Sequence, residues 1–322
     1  MRFLNRVIDS VDAYLERYFA KKWHWIFTAA IVLAILFILY FAFCFTSERY
    51  VSDGFASSGH RTAFFVLFGI HNFICLSYLF LEFLFKRLTG RKAVWAFMLI
   101  ASSCLIAWGF TNPLNLGHHH DSGALGKGNH WSIIYDIFST GQVPPVNLHN
   151  QYYQPKFYHL IISYLMKFNS LFIHVGDTAL SSSFPDYTLS AYHALELTRV
   201  YMIILGISSF YATYKSFFAF GISDKKAALA TIFAIMIPQF WYVQFFFNND
   251  GQAFAFALIA LALAFRFKNN EKILPLSLSA LFLGMAMMSK LNAVMMAIPI
   301  AIIFIYVLYI HICNFLYIFY FF

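Results

Sequence analysis

The sequence predicts an all-α, polytopic integral membrane protein, and three observations carry that reading. Hydrophobic residues make up 61% of the chain and charged residues only 11%, against about 25% charged in ordinary soluble domains. The apolar residues fall in runs of roughly 17–25, long enough for a helix to cross a hydrocarbon core of about 30 Å. No stretch has the regular alternation of a membrane barrel strand, which leaves helices as the elements that close their backbone hydrogen bonds in lipid. Mean hydropathy of +0.67 agrees.

Charge excludes one function class and suggests an orientation. The formal net charge is +8, but Lys and Arg gather in pairs beside apolar runs: Lys21–Lys22, Lys86–Arg87, Arg91–Lys92 and Lys225–Lys226. That is the distribution of cytoplasmic anchors, not of a stripe that tracks a phosphate backbone, so no nucleic-acid partner is expected. Cys44, Cys75, Cys104 and Cys313 all sit in apolar stretches without metal-ligand or disulfide spacing. They read as small buried hydrophobes and say nothing about compartment.

Taken in order, residues 1–22 read as an amphipathic helix lying on the cytoplasmic surface. Leu4, Val7, Ile8, Val11, Leu15 and Tyr18 recur at helical spacing between Arg2, Arg6, Asp12, Arg17 and Lys21. Residues 23–111 hold three expected spans, about 24–45, 62–85 and 93–110, with the basic connector 86–92 in the cytoplasm. The first span lacks a cleavage site and is expected to remain as an anchor. Residues 112–157 then form an extracytoplasmic loop of catalytic type, although Lys127 and Lys156 run against that placement.

The remaining membrane helices occupy 158–322, with apolar stretches at about 158–174, 197–219, 227–247, 252–265, 273–289 and 293–310. Placing Lys225–Lys226 and the run from Arg266 to Lys272 in the cytoplasm requires an odd number of crossings after the loop. Stretch 158–174, short and containing Lys167, is therefore expected to be re-entrant or interfacial; otherwise one basic cluster lies on the far side. The end, NFLYIFYFF, has no polar tail, and the chain is read as truncated there.

Four groups of residues carry chemistry. The loop contains His118–His119–His120 followed by Asp121. These are zinc- or manganese-type ligands, yet adjacent residues seldom converge on one ion, and no further ligand stands at a suitable spacing. A polar interfacial loop is the alternative, and a divalent cation is the one cofactor left open. Asp121 can act as general base toward a hydroxyl, with His120 or His130 orienting it or meeting a departing phosphate.

Second, His130, Ile133, Ile134 and Ile137 share a face of a short helix stopped at Gly141 and Val143-Pro144-Pro145. The stretch from Gln151 to His159 follows, with Pro155 just before a helix start. Third, Asn248-Asn249-Asp250 between two apolar stretches either caps a helix or places a working carboxylate at the membrane margin. Fourth, Lys290, in the segment from Gly284 to Ala293, either snorkels or pairs with an anion such as phosphate.

These pieces, in this order over roughly residues 115–300, resemble the GT-C class of membrane glycosyltransferases. The likeness is to the protein-mannosyltransferase and aminoarabinose-transferase-like branch that uses polyprenyl-phosphate sugars. It rests on His120-Asp121, the helix from Trp131 to Gly141, Tyr153 to His159, Asn248-Asn249-Asp250 and Gly284 to Lys290. Gln154-Pro155-Lys156 stands where that branch has a His-Pro-Pro approach to the helix.

The resemblance implies transfer of a sugar from a lipid-phosphate donor to a hydroxyl on a protein, lipid or glycan, at the lumenal or periplasmic face. It assigns Asp121 as general base, with His120 and His130 beside it. Lys156, His159, Asn249, Asp250 and Lys290 are implied on the substrate. Two other classes compete. A transporter would carry inverted repeats and helices broken at mid-membrane; Gly206 and Pro238 interrupt spans, but no repeat is visible and the charges cluster in loops. An assembly subunit or inactive fragment would tolerate loss of the loop carboxylates.

Overall fold

The computed structural model describes residues 58–84, 86–111, 130–145, 154–173, 179–181, 184–237, 240 and 248–321. The expected surface helix 1–22, the span at 24–45, and His118 to Asp121 lie outside the described residues. The described chain is almost wholly helical. α1 (Ser58–Leu84) and α2 (Gly90–Thr111) are followed by two short helices, α3 (His130–Thr140) and α4 (Phe157–Ser170). Then come α5 (Leu189–Leu197), α6 (Arg199–Ala219), α7 (Asp224–Ile235), α8 (Asn249–Asn270) and α9 (Ile273–Ser289). A 3-10 turn, Leu291–Met296, leads into α10 (Ala297–Phe321).

One element departs from the all-helical expectation. Between α4 and α5 an antiparallel pair, β1 (Ala179–Ser181) and β2 (Phe184–Thr188), aligns Ala179 with Thr188 and Ser181 with Phe184. The stretch is rich in Ser, Thr and aromatic residues, and Pro185 is tolerable because a two-stranded ribbon has free edges. Thr188 ends the ribbon and opens α5, its hydroxyl accepting from the Ala191 N–H.

Helix ends follow local chemistry. Gly141 takes φ +76 just past α3 and its N–H bonds to the Ile137 carbonyl at 2.9 Å, the left-handed stop expected of glycine there. The Asn248 side chain accepts from the Gly251 N–H at 3.1 Å and caps α8, whose far end closes on a left-handed Glu271. Pro275 sits within the first turn of α9, where its missing N–H has no intrahelical acceptor to lose.

Among the described residues, five segments are long and apolar enough to cross a membrane: Phe65–Leu84, Gly90–Ala107, Ser190–Ala219, Asn249–Asn270 and Leu291–Asn314. The stretch expected at 158–174 becomes α4, only 14 residues, or about 21 Å of helix. The crossing length instead lies in α5 and α6 together. That unit is central, since 67% of its apolar window is buried against 17% for the α10 segment. On α10, Ile298, Ile302, Ile305 and Tyr309 are exposed, as lipid-facing side chains would be.

Among the described residues, two apolar cores lie along α6. One joins α3, α4, α5, α6, α8 and α9 through Trp131, Ile134, Tyr158, Ile162, Tyr192 and Phe256. The other joins α2, α6 and α7 through Met98, Phe210, Tyr214 and Ala228. Buried Ala253, Ala257, Ala260 and Ala264 let α8 approach its neighbours closely. Among the described cysteines Cys75 is buried as expected, whereas Cys104 and Cys313 are exposed, against the expectation; Cys44 lies outside the described residues.

At the far end of α6 the Asp224 carboxylate accepts from the Gly90 N–H at 2.5 Å and from the Tyr214 hydroxyl. The approach is so close that a Cβ on Gly90 would run into the Asp224 carbonyl oxygen. Gly69 in α1, by contrast, faces open space. Gly90→Ala is therefore expected to lower stability by about 1–3 kcal/mol, while Gly69→Ala leaves it unchanged or slightly raised. Thermal unfolding of the two variants in detergent checks this; equal midpoints would contradict the close approach.

Candidate functional site

Sequence elements far apart in the chain converge at one end of the bundle. α8 begins there and α9 ends there, and side-chain amides hold the two ends together. Asn249 donates from Nδ2 to the Ser289 carbonyl at 2.9 Å, and Gln252 donates from Nε2 to the Ser289 hydroxyl at 2.7 Å. The Tyr201 hydroxyl on α6 donates to the other side of the Gln252 amide at 2.8 Å. Three helices are thus tied at one level by groups buried away from water, where hydrogen bonds are strong and unpaired groups costly.

This junction places Asp250 against Lys290. Their side chains form an ion pair at 2.5 Å, with 35% of the carboxylate side chain and 25% of the lysine side chain exposed. The geometry depends on the break after α9: Lys290 is extended, φ −152 and ψ 126, before the 3-10 turn begins. Lys290, read from sequence as snorkelling or as the partner of an anion such as phosphate, pairs in the fold with Asp250.

The short helices supply the next layer. Asn249 also donates to the Gln154 side-chain oxygen, which draws the Gln154-Pro155-Lys156 segment onto the start of α8. α3 and α4 are fastened to each other by the Ser163 hydroxyl, 2.8 Å from the Ile134 carbonyl. Between them His130 and His159 stack with ring centroids 5.0 Å apart and share a hydrogen bond, Nδ1 of His130 to Nε2 of His159, at 2.8 Å. As expected from sequence, His130, Ile133, Ile134 and Ile137 are buried on α3, while Tyr135 and Asp136 are half-buried.

Electrostatics follow from this packing. Burial pushes the His130 imidazole down to about 4; the Asp250 carboxylate opposes this, and the Lys290 and Lys156 ammoniums add to it. His159 is lowered well below the ordinary range by burial, with His130 and Lys156 contributing. Burial brings Lys156 down to about 8. Three buried polar atoms here, Tyr158 Oη, His159 Nδ1 and Asn249 Oδ1, have no hydrogen-bond partner among the described residues. Cations beside buried, unsatisfied polar atoms form a setting suited to an anionic group.

Six candidates from the sequence, His130, Lys156, His159, Asn249, Asp250 and Lys290, therefore lie in one connected cluster. Asp121 and His120 lie outside the described residues. Among the described residues no three His, Cys, Asp or Glu side chains gather to hold a metal ion.

Sequence reasoning missed a further polar cluster beside the first core. Glu196 and Arg199, at the joint of α5 and α6, form a buried ion pair at 2.7 Å, and the Tyr192 hydroxyl donates to Glu196 at 2.9 Å. The signal was available: opposite charges three residues apart at the edge of an apolar stretch.

Residues 193–316 match the family model described as dolichyl-phosphate-mannose-protein mannosyltransferase. The match covers less than half of the chain and includes Asn249, Asp250, Lys290 and Arg199, while the loop and α3 and α4 lie before it. It supports a GT-C membrane glycosyltransferase and points to glycosyltransferase activity. No curated protein and no solved structure matches the chain.

The imidazole pair makes stability pH-dependent in a defined direction. Both rings are neutral in the fold near neutral pH, whereas the unfolded chain takes up protons below about 6.5. The contribution is complete above that value and is lost as pH falls toward about 4. Unfolding midpoints should therefore drop across this interval, and the drop should shrink in His130→Gln/His159→Asn. An unaltered pH profile in that variant would assign the effect to other groups.

Proposed function

We propose that this chain moves a sugar from a polyprenyl- or dolichyl-phosphate carrier to an acceptor hydroxyl at the extracytoplasmic membrane surface. The observation that carries the reading is the Lys290–Asp250 pair beside His130 and Lys156, inside or next to the region that matches the mannosyltransferase family. Lys290 and Lys156 hold the donor phosphate as point charges. His159 and Asn249, buried beside them, keep polar atoms without a partner among the described residues, which the donor head would meet.

In the reaction the acceptor oxygen attacks the anomeric carbon while its proton passes to Asp121, assigned as general base by resemblance. The new bond from oxygen to the anomeric carbon forms as the bond to the phosphate oxygen breaks, with inversion at that carbon. The lipid phosphate leaves with the bonding electrons, and its growing negative charge meets Lys290 and Lys156. His120 and His130 orient the base or the departing phosphate. Asp250 holds Lys290 in place until the donor arrives and competes for it.

The basic clusters at Lys86–Arg87 and Lys225–Lys226 support a reading in which the opposite end of the bundle and the N-terminus face the cytoplasm. In this arrangement α4 lies at the interface and α6 makes the crossing. The membrane is that of the endoplasmic reticulum or the bacterial inner membrane, and the acceptor is a protein, lipid or glycan.

Transfer of radiolabelled sugar from polyprenyl-phosphate donors in membranes containing the chain tests this. Wild type is expected to transfer, and equally expressed Asp121→Asn to lose at least about 100-fold. Because Lys156 titrates near about 8, kcat/KM for the donor should fall as pH rises through that value. Lys156→Arg, which stays charged, should remove the alkaline limb. Full transfer by Asp121→Asn would overturn the assigned base.

A further inference from the structure

At the end of the bundle remote from the candidate site, a crevice of about 660 Å³ opens between the turn joining α1 to α2 and the first turns of α7. Tyr201 and Tyr214, thirteen positions apart on α6, mark the two ends; at 1.5 Å per residue that is about 20 Å along one helix. The size falls within the roughly 300–1,000 Å³ of typical small-ligand sites. Its walls include Leu84, Leu88, Leu229 and Ile232, and Lys86 and Lys225 stand at its edge.

The crevice is not a dry gap in the core. Leu84, at the end of a helix long and apolar enough to cross a membrane, and Leu229 on α7 are both more than half exposed. Lys86 takes a left-handed φ of 55, where its N–H bonds back to the Phe83 carbonyl at 3.0 Å and the chain turns out of α1.

The acids at this end are already engaged. Glu82 holds Lys92 at 2.5 Å, and Asp224 accepts from the Gly90 N–H and the Tyr214 hydroxyl. Among the described residues neither Lys86 nor Lys225 has an ion-pair partner, and both are exposed.

We infer that this crevice binds an anionic phospholipid of the surrounding leaflet, its acyl chain along the apolar walls and its phosphate between Lys86 and Lys225. The charge decides the occupant. Residues 1–22, the other segment expected at this surface, carry more basic than acidic residues and would meet two lysines of like sign. A zwitterionic lipid brings no net charge to balance them. Basic pockets between helices at the cytoplasmic face suit anionic headgroups, and the inference is independent of the proposed glycosyl transfer at the other end.

The test uses the purified full chain in detergent, titrated separately with phosphatidylglycerol, phosphatidylcholine and inorganic phosphate, with the unfolding midpoint and native mass spectra as readouts. Phosphatidylglycerol is expected to bind wild type and raise the midpoint, with affinity roughly tenfold or more above phosphatidylcholine. Inorganic phosphate is expected to give no shift. Lys86→Asn/Lys225→Gln, in which Asn accepts the left-handed backbone, should lose roughly tenfold or more in phosphatidylglycerol affinity. Leu229→Trp, which fills the groove without altering charge, should weaken it as well. Lys268→Gln/Lys272→Gln, at the same end but outside the crevice, should not. No binding to wild type, equal affinity for both lipids, an equal response to inorganic phosphate, or an equal loss in the control variant would each overturn the inference.

Discussion

The meeting of the first turn of α8 with the last turn of α9 is the contact on which the site depends. Two adjacent amides, Asn249 and Gln252, reach Ser289 through its carbonyl and its hydroxyl. Because α9 stops there and Lys290 is extended, its side chain turns toward Asp250 instead of continuing along the lipid-facing surface. The same Asn249 amide reaches Gln154 and so carries the approach to α4, with Lys156 and His159, onto that junction. One amide thus links three segments that are far apart in the chain.

The Lys290–Asp250 pair adds little to stability. Both side chains remain partly exposed, and exposed ion pairs contribute only about 0–1 kcal/mol. The hydrogen bonds to Ser289, which are buried, are better placed to hold α8 and α9 together. The pair keeps a partly exposed cation beside buried imidazole, phenol and amide groups. The same burial that lowers Lys156 to about 8 removes water that would screen its charge, which is the condition the proposed phosphate contact needs.

Much of this was legible in the sequence, and the parts that were not share a cause. Helix content, the buried face of α3, the stop at Gly141 and the cap at Asn248 are local properties, set by periodicity and by what glycine and asparagine do at helix ends. The Lys290–Asp250 pair joins residues forty positions apart and depends on how α8 packs on α9, which no local pattern encodes; the sequence presented them as separate candidates. The Glu196–Arg199 pair was local and was passed over because its stretch was read for hydropathy alone. The β1–β2 ribbon escaped because its Ser-rich residues carry little alternation and include a proline.

Binding of a polyprenyl phosphate to the purified chain in lipid nanodiscs, followed by the 31P resonance of its headgroup, tests the central claim most directly because it does not require turnover. Lys290→Ala is compared with wild type and with Lys268→Ala, a lysine at the opposite end of α8. The account predicts saturable binding to wild type, a loss of about tenfold or more in Lys290→Ala, and no loss in Lys268→Ala, with all three proteins folded. Unchanged affinity in folded Lys290→Ala would contradict it.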